Sequence, residues 1–167
     1  MIAWIPFLGR NGLLNTALLD AHIASHPLEF LLFSPFAVVI AYVHLFTLFM
    51  VVPIFNSMAR IDPAVIEAAR DAGASRWRIL SEIVIPLSKS GIALGTIFVV
   101  TQVMGDFFVV RVMSGGQSAS VVSALQNEIA SLQYPPAAAE AIILVIVVIL
   151  MVSAVLRVVD VRKELAS

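Results

Sequence analysis

Hydrophobic and polar positions divide this chain into long apolar runs separated by shorter mixed ones. Three runs stand out, at residues 30–55, 90–113 and 137–156. Each supplies about the twenty apolar residues that cross a bilayer core as a helix. Pro35 and Pro53 lie toward the ends of the first run. Gly91 and Gly95, four apart in the second, give a small face for close helix packing. Tyr134, Pro135 and Pro136 introduce the third.

The period changes in the polar stretch 56–89. From Asp62 to Leu87 the pattern predicts two short amphipathic helices joined by a tight bend. Asp62 is a good N-cap, and Pro63 suits the first helical position. Gly73 can take the left-handed conformation that ends the first helix, and Ser75 can cap the second. Pro86 lacks a donor, which predicts a stop or kink nearby. Val65, Ala68, Ala69 and Ala72 share one face of the first helix, opposite Glu67, Arg70 and Asp71. Trp77, Leu80, Ile83, Val84 and Leu87 form a stripe on the second, away from Arg76, Arg78, Ser81 and Glu82. Arg78 and Glu82, four apart, can pair. Periodicity leaves two readings open here: a loop resting on its own membrane domain, or one that docks a partner.

The remaining polar segments are less regular. Gly9, Asn11 and Gly12 mark a turn before a short amphipathic helix over about 13–25. Residues 114–136 form a Ser/Gly-rich connection with a short helix over about 121–132, and 157–167 is a charged tail. The fold class that follows is all-α: a polytopic membrane helical bundle with three transmembrane helices and one long helix-turn-helix loop at 56–89.

Composition reinforces the membrane reading. The chain is 60% hydrophobic and 13% charged, with a mean hydropathy of +1.02. Soluble domains are about 45–50% apolar and about 25% charged. A net charge of −1 offers no large basic field for nucleic acid. The absence of cysteine excludes disulfides, cysteine-based zinc sites and thiol catalysis. Met1 to Leu8 is apolar but short, with no basic stretch before it, unlike a signal peptide.

Lysine and arginine counts set the orientation. The 56–89 loop holds Arg60, Arg70, Arg76, Arg78 and Lys89, and the tail holds Arg157, Arg162 and Lys163. The 114–136 connection has none, and the leading segment has only Arg10. The loop and tail are therefore expected to be cytoplasmic and the leading segment external.

Several polar residues in apolar surroundings are candidates for chemistry. His22 and His26, four apart near Asp20 and Glu29, would share a helix face as a metal pair or simply form a solvated helix end. The stretch is not His-Glu-x-x-His, so the zinc-protease arrangement is missing. His44, mid-span, is either functional or a neutral histidine hydrogen-bonded to a neighbouring helix. Thr101, Gln102 and Asp106 break the apolar character of the second span, and Arg111 is placed to pair with Asp106 or to snorkel. Glu140, near the outer end of the third, is expected to reach the headgroups.

The loop resembles the EAA loop of permease subunits in binding-protein-dependent ABC importers. That pattern is Glu-Ala-Ala, three residues, Gly, nine residues, Ile, any residue, Leu, Pro. Glu67, Ala68, Ala69, Gly73, Ile83 and Pro86 match at the family spacing, with Ile85 in place of Leu. Residues Leu8-Gly9 to Leu13-Leu14-Asn15 resemble the external segment before the fourth span of spermidine/putrescine-type permeases, and Gly105-Asp106-Phe107 resembles a Gly-acid-Phe run of the same family. The resemblance implies that the loop is cytoplasmic and couples to an ABC ATPase subunit through Glu67 to Gly73 and the helix that follows. It implies a second permease subunit, an extracytoplasmic substrate-binding protein, an inner-membrane location and no cofactor. It implies for Asp106 a place on the route of a small solute such as a polyamine; Gln102 and His44 are further pathway candidates only as polar residues within apolar spans. Asp106 keeps a second reading, as a structural pair near the membrane edge. The chain has no Gly-x-x-x-x-Gly-Lys-[Ser/Thr] loop, so ATP hydrolysis belongs to the separate subunit. Family permeases usually have six spans with both ends inside, so a three-span chain corresponds to a C-terminal half. Two rivals differ in class: a membrane-embedded enzyme built on His22, His26 and Asp106, and a non-transporting fragment or accessory protein.

Overall fold

The computed structural model describes residues 3–116 and 118–158. These are helical with short connections, and none forms a strand. In chain order the helices are α1 (Trp4–Leu8), α2 (Leu13–Asp20), α3 (Pro35–Met58), α4 (Pro63–Asp71), α5 (Arg76–Ile79), α6 (Ile85–Leu87), α7 (Lys89–Gly105), α8 (Phe108–Met113), α9 (Val121–Ala130) and α10 (Tyr134–Val158). A 3-10 turn at Glu29–Leu31 precedes α3, and a π-helical turn at Leu80–Val84 joins α5 to α6. Arg162 and Lys163, used above in the orientation argument, lie outside the described residues.

α3 and α10 are each long and apolar enough to cross a membrane. α3 starts on Pro35, whose missing N–H is unneeded there, and keeps Pro53 within it. α10 takes Pro135 and Pro136 into its first turn for the same reason. The stretch 90–113 is not one helix. α7 ends at Gly105, after 17 residues, and α8 restarts at Phe108. Seventeen residues span about 25 Å at a rise of ~1.5 Å each, short of a hydrocarbon core of about 30 Å.

The chain divides into two compact units. One draws on Met1–Phe46 and Gln102–Ile146, the other on Thr47–Thr101 and Val147–Ser167. The core of the first is Leu8, Leu31, Leu32, Ala37, Val38, Ala41, Val109, Val110 and Met113. Asn15, only 1% exposed, ties its leading segment together. Its amide donates to the carbonyls of Gly9 (3.0 Å) and Leu28 (3.3 Å), and its carbonyl accepts from the Leu28 amide at 2.7 Å. One buried side chain thus bonds three backbone groups of this segment, of which the Gly9 carbonyl also accepts from the Gly12 amide.

α2 ends at Asp20, earlier than the pattern predicts, because the backbone turns left-handed at His22 (φ 55°). The amides of His22 and Ile23 return to the carbonyls of Leu19 and Leu18, which closes the helix. His22 and His26 therefore do not share a helix face. Glu140 is half-buried, and one of its carboxylate oxygens is enclosed with no hydrogen-bond partner among the described residues.

In the second unit, α7 packs against α3 through its glycines. A Cβ on Gly91 would collide with the carbonyl oxygen of Pro53 and lie 2.6 Å from the Ser57 Cβ. One on Gly95 would lie 2.8 Å from the Met50 sulfur. The Ser57 and Ser90 hydroxyls hydrogen bond beside this seam at 3.1 Å. Small residues allow backbones to approach this closely, and packing in lipid depends on such approach.

Candidate coupling surface and membrane pathway

The 56–89 loop forms the two helices and bend that its residues dictate. The Asp62 carboxylate accepts from the Ala64 amide at 2.9 Å, and Pro63 opens α4. The helix closes with the amide of Gly73 on the Arg70 carbonyl and that of Ala74 on the Ala69 carbonyl, both at 2.9 Å. Gly73 takes φ +80°, and nothing lies within 4 Å of where its Cβ would be. Its requirement is therefore conformational and not one of space. The Ser75 hydroxyl then accepts from the Arg78 amide at 3.3 Å. Arg78 and Glu82 pair at 3.0 Å, both largely in the open, a contribution of a few tenths of a kcal/mol.

No residue of α4 is buried. Glu67 and Ala68 are exposed and Ala69 is half-buried, so the Glu-Ala-Ala triplet presents one carboxylate beside small side chains that let another surface come close. Ile83 and Pro86 are half-buried in the arm Arg76–Leu87. That arm meets α7 at a bend of 66°, with Ser88 at the break. Pro86 cannot donate the amide bond that a straight helix would need there.

Asp106 sits in the two-residue break between α7 and α8. Its Oδ1 accepts from the Val109 amide at 2.8 Å, and the Tyr42 hydroxyl donates to it at 3.4 Å. Arg111 is not its partner. That guanidinium makes no ion pair among the described residues and lines a separate polar recess of about 180 Å³ with Phe107, Ser118, Ser123, Gln126 and Asn127. The physical reason is local. Asp106 satisfies an amide in the first turn of α8, which holds its carboxylate before the helix, while Arg111 lies in the last turn. His44 is exposed and packs edge-on against Trp4, ring centroids 5.5 Å apart, with no hydrogen bond across helices among the described residues. Gln102 is exposed on α7. The structure thus joins Asp106 to Tyr42 and leaves His44 against Trp4, two positions along α3.

The family model for the binding-protein-dependent transport system inner membrane component matches residues 2–164. The chain belongs to this family. Among its relatives is the spermidine/putrescine transport system permease protein PotB of Escherichia coli, 35% identical over 137 residues, 81% of this chain and 50% of that protein. PotB of Haemophilus influenzae is 34% identical over 122 residues, 73% of this chain and 42% of that one. The corresponding PotC of Escherichia coli is 34% identical over 67 residues, 40% of this chain and 25% of that one. The chain spans about half the length of the curated relatives it matches. Membership and the apolar helices together make this a multi-pass component of an inner membrane.

Within this inner membrane component, Tyr42 is the site residue that the sequence pattern does not single out. A phenol in an apolar run is one signal, since its hydroxyl needs a partner once enclosed. Its partner is 64 positions away, beyond the reach of any local spacing.

Proposed function

We propose that this chain acts as the permease component of an ABC import system, forming part of a translocation pathway and coupling it to a separate ATPase subunit. The observation that carries the reading is α4. It buries none of its residues, carries Glu67-Ala68-Ala69 and ends on a left-handed Gly73. A helix so displayed is suited to insertion into a partner, and the closed turn behind it is suited to passing movement on to the arm and α7. The basic loop is cytoplasmic and the leading segment external. ATP hydrolysis falls to the partner, a second permease subunit completes the pathway, and an external binding protein delivers the solute.

The similarity to PotB supports a polyamine as that solute. Asp106 is the pathway residue best suited to a cationic amine, with Tyr42 holding its carboxylate and Gln102 nearby in sequence. Co-purification from membranes with the cognate ATPase subunit tests the coupling, wild type against Glu67→Lys. Capture that is lost on charge reversal is the expected result. Equal capture of both would remove Glu67 from the interface.

A second reading is that of an accessory membrane protein. Here it packs beside other helices without transporting. Uptake of labelled putrescine into vesicles holding the assembled system separates the two, because this reading expects assembly without uptake.

A further inference from the structure

The arm Arg76–Leu87 carries an apolar stripe that is open at its ends, at Trp77, Leu80 and Leu87, and half-buried between them at Ile83 and Val84. Trp77 is 79% exposed, and Leu80 and Leu87, three and ten positions on, are exposed with it. Ile79, on another side of the same arm, is buried. An exposed indole followed by leucines at helical spacing is costly to leave in water, and tryptophan favours the level of the lipid headgroups.

The arm's place in the chain says what covers it. It leads through Ser88 into α7 at 66°. With α7 upright in a bilayer, the arm leans closer to the membrane plane than to its normal. Farther along, α7 itself exposes Leu94 and Phe98, so apolar side chains are open on both the arm and the span. A cation stands at each end: Arg76 and Lys89 form no ion pair among the described residues, whereas Arg78 is held by Glu82. Basic ends around an apolar stripe complement an anionic lipid surface.

We propose that the arm is an interfacial helix. Trp77, Leu80 and Leu87 lie in the boundary between headgroups and acyl chains, and Arg76 and Lys89 face the phosphates of anionic lipid. α4, on the other side of the Gly73 turn, is left free for a protein partner. The inference rests on the permease reading only for which leaflet is touched.

The chain has two tryptophans, so Trp4→Phe leaves Trp77 as the sole reporter. The full chain is placed in nanodiscs of phosphatidylglycerol and phosphatidylcholine, with and without bromine on the acyl chains. Trp77 is expected to emit to the blue of exposed tryptophan, to lose most of its emission to brominated lipid, and to be unmoved by the ATPase subunit. As a control, Trp4→Phe/Trp77→Phe/Glu82→Trp reports from the charged side of the arm and is expected to emit to the red with weak quenching. Should Trp4→Phe fail to insert, the difference between wild type and Trp77→Phe gives the same reading. Trp77 quenched no more than the control, or shielded only when the ATPase is added, would overturn the proposal; the second outcome makes the stripe a protein contact. Strong lipid quenching with no ATPase binding would instead sink the coupling reading and leave this one standing.

Discussion

Gly73, His22 and Leu132 hold the same left-handed conformation just past the ends of α4, α2 and α9, at φ +80°, 55° and 60°. Only the first is a residue that adopts it freely. Gly73→Val should strain the bend by about 1–2 kcal/mol with no clash to relieve. In an assembled complex it is expected to leave ATP hydrolysis running while uptake falls; parallel measurement of the two rates checks it. Leu132 is 73% exposed, so Leu132→Gly loses little packing while shedding strain. It should stabilise the chain by up to about 1 kcal/mol, seen as a higher Tm in detergent. Asp106→Asn keeps an oxygen that accepts from the Val109 amide but removes the charge. Cation uptake should fall with assembly intact, and unchanged uptake would take Asp106 out of the pathway. The caps at Asp62, Gly73 and Ser75 were legible because each acts within three residues of itself. The left-handed turns at His22 and Leu132 were not, because histidine only leans toward that conformation and leucine has no preference for it.

At the scale of elements, a close-packing face on α7 was legible from Gly91 and Gly95, but not that α3 is the helix packed against it. The break at Asp106 was not. Hydropathy averages over a two-residue interruption, and the amide that Asp106 caps belongs to a helix of six residues. The π turn at Leu80–Val84 was equally hidden, because its residues form an ordinary helix just as well. Gly91→Leu should force α3 and α7 apart, since its side chain would meet the Pro53 carbonyl and Ser57. Overpacking of this kind costs about 1–3 kcal/mol. Gly105→Ala, with nothing within 4 Å of its Cβ, should be near neutral on those grounds. Thermal unfolding of the two variants in one detergent measures the contrast.

For the whole molecule, the absence of cysteine makes orientation directly testable. Ser75→Cys in the basic loop and Ser131→Cys after α9 introduce single thiols at exposed positions. In intact cells a membrane-impermeant maleimide is expected to label the Ser131→Cys variant readily and the Ser75→Cys variant only after permeabilisation. The reverse result would invert the topology drawn from the lysine and arginine counts. The all-helical, membrane-spanning class was legible from apolar runs and charge, which are sums over many residues. The join between Asp106 and Tyr42 was not, because it depends on how two distant helices meet.

The elbow at Ser88 gives the loop a mechanical character. The helical residues from Arg76 to Leu87 make a lever of about 18 Å, at ~1.5 Å per residue. A swing of about ten degrees at that fulcrum would carry its tip by roughly 3 Å, about two residues of helical rise. The Ser88 hydroxyl is enclosed yet has no hydrogen-bond partner among the described residues, so a turn at this pivot would break no side-chain bond of Ser88. Just beyond it, Gly91 is seated against Pro53 so closely that α7 has little room to slide along α3. Displacement at the tip would therefore meet a helix packed too tightly on α3 at Gly91 to slide along it.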